Sequence, residues 1–505
     1  MAVELRDPIL QRAKLDWAAN WLKSERQGIY SGGAWQRAQG RTLETIDPAT
    51  GKVLSTFVEA SEKNVDDCVA SARSTFATTE FRKMPRQKRA QLLCDIAGAI
   101  RNHHEELATL EALDNGKLFT EAFNDDIPEA ASVFEYYAGW IDKFYSETCP
   151  VEDGFINYTV REPLGVCGLI TPWNFPLLLG AWKLAPALAM GNTVVIKPSP
   201  FTTLSTLRLF EILHEECELP PGMVNLVCGG AEVGAAIASH AHINKVSFTG
   251  STSTGKKILH GAADSNLKTV TLELGGKSPN ILFDDAPDLE FAIKRSYEAM
   301  FSHKGEKCSE PTRLLVHRSL YSRVVDQLSA MAEAVVCGNQ FDGKSQQGAQ
   351  CNKQQFDKIM SYIESGKGAG ARLVAGGTQD KQGENGKGLF VRPTIFSDVD
   401  NKMAIAQDEI FGPVLVITPF ESEDEAVAIA NDTIYGLAAG LWTADVSRAH
   451  RVASKLDAGM IFINRYGCYD FCSPFGGFKQ SGWGKEMAVH SLDAYTRLKS
   501  VWLKI

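Results

Sequence analysis

Of the eleven cysteines in this 505-residue chain, Cys308 has the setting best suited to nucleophilic chemistry. It lies in Gly305-Glu306-Lys307-Cys308-Ser309-Glu310, between a helical stretch and a strand-like run, so it falls in a turn. The adjacent Lys307 is a cation, and a nearby cation favours thiolate, the form that attacks carbonyl carbon. Glu273 sits inside the apolar run Val270–Leu274, ahead of Gly275 and Gly276. Burial there would raise its pKa toward the range of a general base; a glutamate on the solvent face of a strand is the alternative. The segment Phe248-Thr249-Gly250-Ser251-Thr252-Ser253-Thr254-Gly255 reads as strand, tight turn and helix start, an arrangement that offers free N–H groups to phosphate. A plain capped turn fits it equally. Lys197, at the end of a strand, suits ribose hydroxyls or solvent. Three further clusters set Gly or Pro beside aromatic and polar residues: Thr171-Pro172-Trp173-Asn174-Phe175-Pro176, Glu409-Ile410-Phe411-Gly412-Pro413-Val414 and Ser473-Pro474-Phe475-Gly476-Gly477-Phe478-Lys479.

These residues need a scaffold. Short apolar runs at Val166–Ile170, Thr193–Ile196, Val224–Val227 and Val246–Phe248 alternate with helical stretches at Leu204–Cys217, Ala231–Ser239 and from about Ser253. Buried β-branched strands alternating with helices predict a parallel, doubly wound sheet. The pattern returns after residue 280, with strands at Asn280–Phe283 and Leu314–Val316 around a helix at Leu289–Phe301. The fold class is therefore α/β with two doubly wound domains. Alternating residues in Glu147–Glu162 and strand character in Arg497–Ile505 predict a small separate sheet, which extends to a partner subunit. Residues 378–388 form a polar loop. Leu10, Leu15, Trp17, Ala18 and Trp21 predict one face of a helix docked on the body.

Composition is that of a globular protein, and the formal net charge of −9 gives no general attraction for nucleic acid or anionic membrane. No apolar run is long enough to span a bilayer. The odd cysteine count and the absence of C-x-x-C pairs suit a reduced, cytoplasmic compartment. Cys468 and Cys472 lack zinc spacing, and no metal is expected.

Taken together, the motifs Pro-Trp-Asn-Phe-Pro, Phe-Thr-Gly-Ser-Thr-x-x-Gly, Leu-Glu-Leu-Gly-Gly-Lys-Ser-Pro, Gly-x-x-Cys, Glu-Ile-Phe-Gly-Pro-Val and Ser-Pro-Phe-Gly-Gly-x-Lys resemble the aldehyde dehydrogenase superfamily, in the family's order, from about Ile29 to Ile505. The resemblance implies an NAD(P)-dependent enzyme of the hydrolytic type. Cys308 falls at the nucleophile position, Glu273 at the general base, and Asn174 where a side-chain amide stabilises the oxyanion. Lys197 and Glu409 fall at the cofactor's two riboses, Ser251 and its helix start at the pyrophosphate, and Trp173 and Phe411 near the nicotinamide and ribose. Thr171, Gly250 and Thr254 are grouped with them. The implied division is a cofactor domain of 1–146 with 164–276, a catalytic domain of 277–480, and bridging segments 147–163 and 481–505 in a homodimer or homotetramer. The family's cofactor domain is a Rossmann variant, so a missing G-x-G-x-x-G is no objection.

Two departures stand out. Three residues after Lys197, where the family often has a ribose-binding Glu, this chain has Pro200; NAD remains the expected cofactor, with NADP admissible. Lys307 replaces a small or apolar neighbour of the nucleophile. The resemblance implies a small-molecule aldehyde pocket of Phe175, Leu179, Trp182 and Tyr469, an aromatic tunnel. Asp125, Asp126 and Glu129 suggest either a tunnel mouth favouring aminoaldehydes or a solvated helix face. Two rival readings are a CoA-acylating enzyme, against which Glu273 argues, and a silent protein on the same fold, against which the joint presence of Cys308, Glu273, Asn174, Lys197 and Glu409 argues.

Overall fold

The computed structural model describes residues 6–38, 40–381 and 386–505. Part of the predicted polar loop, 382–385, lies outside the described residues. The strands Val166–Ile170, Thr193–Lys197, Val224–Val227, Lys245–Thr249 and Thr269–Glu273 run parallel. The first four are buried along their whole length, because helices cover both faces of the sheet. Antiparallel edge strands complete an eight-stranded sheet: Gly482–Trp483 on one side, Ile29–Ser31 with Ala34–Trp35 on the other.

The spatial order of this sheet positions the site. From Val166–Ile170 the chain moves outward one way through Thr193–Lys197 and Val224–Val227. It then returns to place Lys245–Thr249 and Thr269–Glu273 on the other side. The order thus reverses between Val166–Ile170 and Lys245–Thr249. Loops leaving the carboxyl ends of two such strands diverge and leave a crevice between them. The loops in question are those at Thr171–Phe175 and Gly250–Ser251.

A second, seven-stranded sheet is mostly parallel. It places Pro279–Leu282 between Arg313–His317 and Ala438–Trp442, with Val414–Phe420 next to Arg313–His317. Its helices pack apolar faces onto both sides in separate clusters, one around Met300, Val324 and Leu328, another around Phe420 and Val452. Two α/β sheets follow from the two alternating patterns of the sequence.

The predicted small sheet also forms. Phe155–Pro163 pairs antiparallel with Thr496–Lys504 along its whole length and with Thr148–Cys149 on its other side. Between the main pattern and this sheet, Gly482–Trp483 is taken up by the edge of the eight-stranded sheet, where it registers with Leu272 and Glu273. At the other end of the chain the predicted single helix is two, Arg6–Leu10 and Leu15–Trp21. Ala18 is buried against Leu110 and Leu204 with Trp17 and Trp21 beside it, while Leu15 is turned outward.

Candidate active site

The crevice brings the predicted residues together. Trp173, Asn174, Gly250, Ser251, Glu273, Cys308, Glu409 and Phe411 line one cleft. Gln355 and Lys358 line it too, and sequence reasoning missed both. They belong to the helix Lys353–Gly368, whose polar residues are not distinguishable in sequence from a solvated face.

Cys308 arrives on a strained turn. The helix Leu289–Phe301 gives way to a tight turn, Ser302–Gly305, in which His303, Lys304 and Gly305 all have positive φ (48°, 63° and 72°). Left-handed backbone at a non-glycine residue costs about 1–3 kcal/mol, so packing must hold the turn. A Cβ on Gly305 would stand 2.4 Å from the carbonyl carbon of Gly412; the loop carrying Cys308 therefore lies backbone to backbone on the loop carrying Phe411. A Cβ on Gly276 would stand 2.3 Å from the Cys308 carbonyl oxygen, so the glycine after Glu273's strand admits the same loop from the other side. The thiol is half-buried. Burial, then the carboxylates of Glu409 and Glu273, push its pKa up. Lys307 does not oppose this. Its ammonium is turned to Ser302 Oγ at 2.6 Å and Glu310 at 3.5 Å, which corrects its reading as the thiol's activating cation.

Glu273 ends the strand Thr269–Glu273 and is buried, not on the solvent face. Its Oε2 has no hydrogen-bond partner. Burial, followed by repulsion from Glu486, raises its pKa well above the usual carboxylate range; Lys183 and Lys485 oppose the shift. Lys183 hydrogen-bonds Thr249 Oγ1 at 2.7 Å and contacts Glu486. Sequence reasoning passed over Lys183, although a single charge in the buried helix Pro176–Ala189 was the available signal.

Asn174 is buried, and its Nδ2 donates to the Glu306 carbonyl at 2.8 Å. A side-chain amide carries two N–H donors, so one remains. Trp173 meets Phe411 edge to face, with ring centroids 5.2 Å apart. Phe411 is itself held at φ 61°. Gln355 keeps it there, donating Nε2 to the Ile410 and Phe411 carbonyls at 2.8 and 2.7 Å.

The remaining residues offer donors and acceptors around the sheet switch. Ser251 caps the helix Thr252–Asp264, accepting from Thr254 N–H at 3.2 Å, so the positive end of that helix starts at the cleft. Glu409 is half-buried and accepts from Gly276 N–H at 2.9 Å. Thr171 Oγ1 is buried without a partner. Lys197 does not line the cleft. It is buried one strand away, donating to the Pro198 and Gly229 carbonyls at 2.9 and 2.8 Å, with burial lowering its pKa to about 8. Its three donors exceed those two acceptors. The orphaned Thr171 hydroxyl, the helix start and the spare Lys197 donor fit a dinucleotide laid across the sheet switch.

A second cavity is lined by Trp182, Tyr469, Phe475 and Phe462. Trp182 and Phe475 meet edge to face with centroids 5.1 Å apart, and Tyr469 O–H and Ser309 Oγ lie 2.7 Å apart. Phe175 and Leu179 do not line this cavity; they pack in the same apolar cluster as Trp182 and Cys308. Asp126 matches neither of its sequence readings. It is buried, ion-paired with Lys117, in a network with Glu111. A carboxylate balanced by an ammonium is how a charge survives such burial. Asp125 is exposed, and Glu129, half-buried, has its pKa raised to about 7 by burial and then by Asp125.

The fold and the cleft define a class: a two-sheet α/β protein with a half-buried thiol and a buried carboxylate in a cleft at the sheet switch. The Aldehyde dehydrogenase family profile matches residues 35–501. The human protein named "Aldehyde dehydrogenase, mitochondrial" is 43% identical over 480 residues, covering 94% of this chain and 92% of its own. Among solved structures, the NAD+ complex of aldehyde dehydrogenase from Bacillus cereus superposes with a TM-score of 0.93 at 45% identity, covering 96% of this chain and 98% of its own. Indole-3-acetaldehyde dehydrogenase complexed with NAD+ gives 0.94 at 41% identity, covering 98% and 99%. The chain belongs to the aldehyde dehydrogenase family, and is an oxidoreductase.

Proposed function

We propose that the chain oxidises an aldehyde to its carboxylic acid, with Cys308 as nucleophile, Glu273 as general base and Asn174 as oxyanion donor. The observation that carries this reading is the convergence of those three residues, from a strand end and two separate loops, on one cleft. Cys308 gives up its thiol proton to solvent, Sγ bonds to the carbonyl carbon as the C=O π bond breaks, and the carbonyl oxygen becomes an oxyanion. The spare Asn174 N–H and the Cys308 main-chain N–H stabilise that charge; one such donor is typically worth about 3 kcal/mol of barrier. NAD, when bound, supplies the hydride acceptor that leaves a thioester on Cys308. Glu273 takes a proton from water as the water oxygen adds to the thioester carbon. The C–S bond breaks, the thiol is regenerated and the acid leaves.

Residues Thr171, Trp173, Lys197, Gly250, Ser251, Thr254, Glu409 and Phe411 are assigned to the cofactor. Bound NAD in the two structures described above supports that choice, and Pro200 in place of a carboxylate leaves NADP admissible. The cavity lined by Trp182 and Tyr469, with Phe175 and Leu179 packed behind it, suits apolar or aryl aldehydes; its Trp182–Phe475 wall supports this. The domain division is taken as 1–146 with 164–276, 277–480, and bridging segments 147–163 and 481–505. A homo-oligomer is assigned from the free edge and apolar face of the small sheet. Eleven cysteines, an odd number with no C-x-x-C spacing, suit a reduced, cytoplasmic compartment.

The test is reduced-nicotinamide absorbance with aliphatic, aromatic and amino aldehydes, each with NAD and NADP. Turnover by the wild type and none by Cys308→Ala is the expected result. Turnover surviving in Cys308→Ala would remove the covalent reading, and acyl-CoA formed on adding CoA would replace hydrolysis with acyl transfer.

A further inference from the structure

We propose that Lys304 is a positioning residue for Asn174, and through it for the oxyanion of the reaction above; the inference rests on that reading. Lys304 is 2% exposed. Its Nζ donates to Asn115 O at 2.8 Å and Asn115 Oδ1 at 2.9 Å, and pairs with Glu306 Oε2 at 2.9 Å. Lys304 does not line the cleft that holds Cys308 and Asn174, so it does not face the oxyanion itself. Lys304 acts only through what it holds.

What it holds is both ends of Asn174. Asn115 passes the contact on, donating Nδ2 to the Trp173 carbonyl at 2.7 Å and the Asn174 carbonyl at 3.4 Å. On the other side, the Glu306 carbonyl receives Asn174 Nδ2 at 2.8 Å, while its carboxylate Oε1 accepts from Cys351 N–H at 3.1 Å. Glu306 is two residues from Lys304 and two from Cys308. One ammonium therefore ties the loop carrying the oxyanion donor to the loop carrying the nucleophile, across the sheet switch. The same side chain anchors a turn whose His303 and Lys304 are left-handed.

A buried ion pair is a weak device for stability, because desolvation offsets its attraction and apolar residues of like size often serve as well. Here the pair adds a fixed geometry at a place where geometry sets rate. A small misplacement of a group that binds the transition state costs rate far more than it costs binding.

Two charge-neutral double variants test this. Lys304→Gln with Glu306→Gln keeps an amide donor toward Asn115; Lys304→Met with Glu306→Gln keeps none. The readouts are the pre-steady-state burst of reduced nicotinamide, NAD Kd by calorimetry and aldehyde KM. The burst is expected to fall about 10- to 100-fold in the Lys304→Met pair and by less than about threefold in the Lys304→Gln pair, with Kd and KM within about twofold in both. In an Asn174→Ala background the Lys304→Met pair should add no more than about a twofold further loss, since both act on one donor. Equal bursts in the two pairs, or a further tenfold loss beyond Asn174→Ala, would overturn the proposal. If the Lys304→Met pair does not fold, Asn115→Asp tests the bond from its other end. It keeps the acceptor for Lys304 and removes the donor to Trp173 and Asn174, and an unchanged burst there would likewise overturn it. A wild type with no burst at all removes the parent reading instead.

Discussion

Cys308 and Glu273 share an electrostatic problem. Burial raises both pKa values, helped by the carboxylates of Glu409 and Glu273 at Cys308 and by Glu486 at Glu273, while their reactive forms are deprotonated. Raising the pH through a raised pKa fills the active form, so kcat/KM should climb as the pH rises from the acid side through neutrality, and a profile flat there would argue against both roles. Removing the base alone separates the two half-reactions. Glu273→Gln should retain a burst of reduced nicotinamide but lose about 10²–10⁴-fold in steady-state rate, because thioester hydrolysis stalls. The ribose end offers a third measurement. Pro200→Glu would set a carboxylate near Lys197, and the NADP-to-NAD ratio of kcat/KM should fall about tenfold or more, about 1.4 kcal/mol, by repulsion of the 2′-phosphate. An unchanged ratio would place cofactor choice elsewhere. At this scale, residue type alone misled in one case: Lys307 is adjacent to Cys308 in sequence, yet its ammonium is spent on Ser302 and Glu310.

The elements explain how four segments reach one cleft. Strand ends deliver Trp173–Asn174, Gly250–Ser251 and Glu273, and the turn after Leu289–Phe301 delivers Cys308. Glycine at 305 is required both by its φ of 72° and by the Gly412 backbone 2.4 Å from any Cβ. Gly305→Ala should therefore destabilise by more than about 1 kcal/mol and displace both the Cys308 and Phe411 loops. A melting temperature and burst equal to wild type would contradict that packing. Ser251→Ala removes the cap that binds Thr254 N–H and should cost about 0.5–2 kcal/mol in chemical denaturation. Element positions were legible because period and length agree: Ala231–Ser239 and Leu289–Phe301 appear as read. The acidic run near Asp125 was not, since Ala122–Asp126 forms a wide π-turn that turns Asp126 inward to Lys117 while leaving Asp125 in water.

At the scale of the whole molecule, the small sheet leaves the nine-residue strand Thr496–Lys504 as an edge. Ile156, Tyr158 and Leu503 stand exposed on one of its faces, at 42%, 40% and 52%. A long unpaired edge with an apolar face is unstable in isolation and invites a second chain. Sedimentation should find the wild type oligomeric at micromolar concentration, and Tyr158→Glu with Leu503→Glu should shift it toward monomer; a monomeric wild type would refute the assignment. Sequence alone determined the α/β class, the strand and helix order and the six motifs, because those depend on local periodicity and on residue types at short spacing. Which motifs meet was decided by tertiary structure. The reversal of strand order opens the crevice, and glycine contacts let the Cys308 loop close on it. The buried charges of Lys183, Glu486, Lys304 and Glu306 then surround it. Those partners lie tens to hundreds of residues apart along the chain, or differ from solvated charges only in being buried, and burial is a property of the assembled fold.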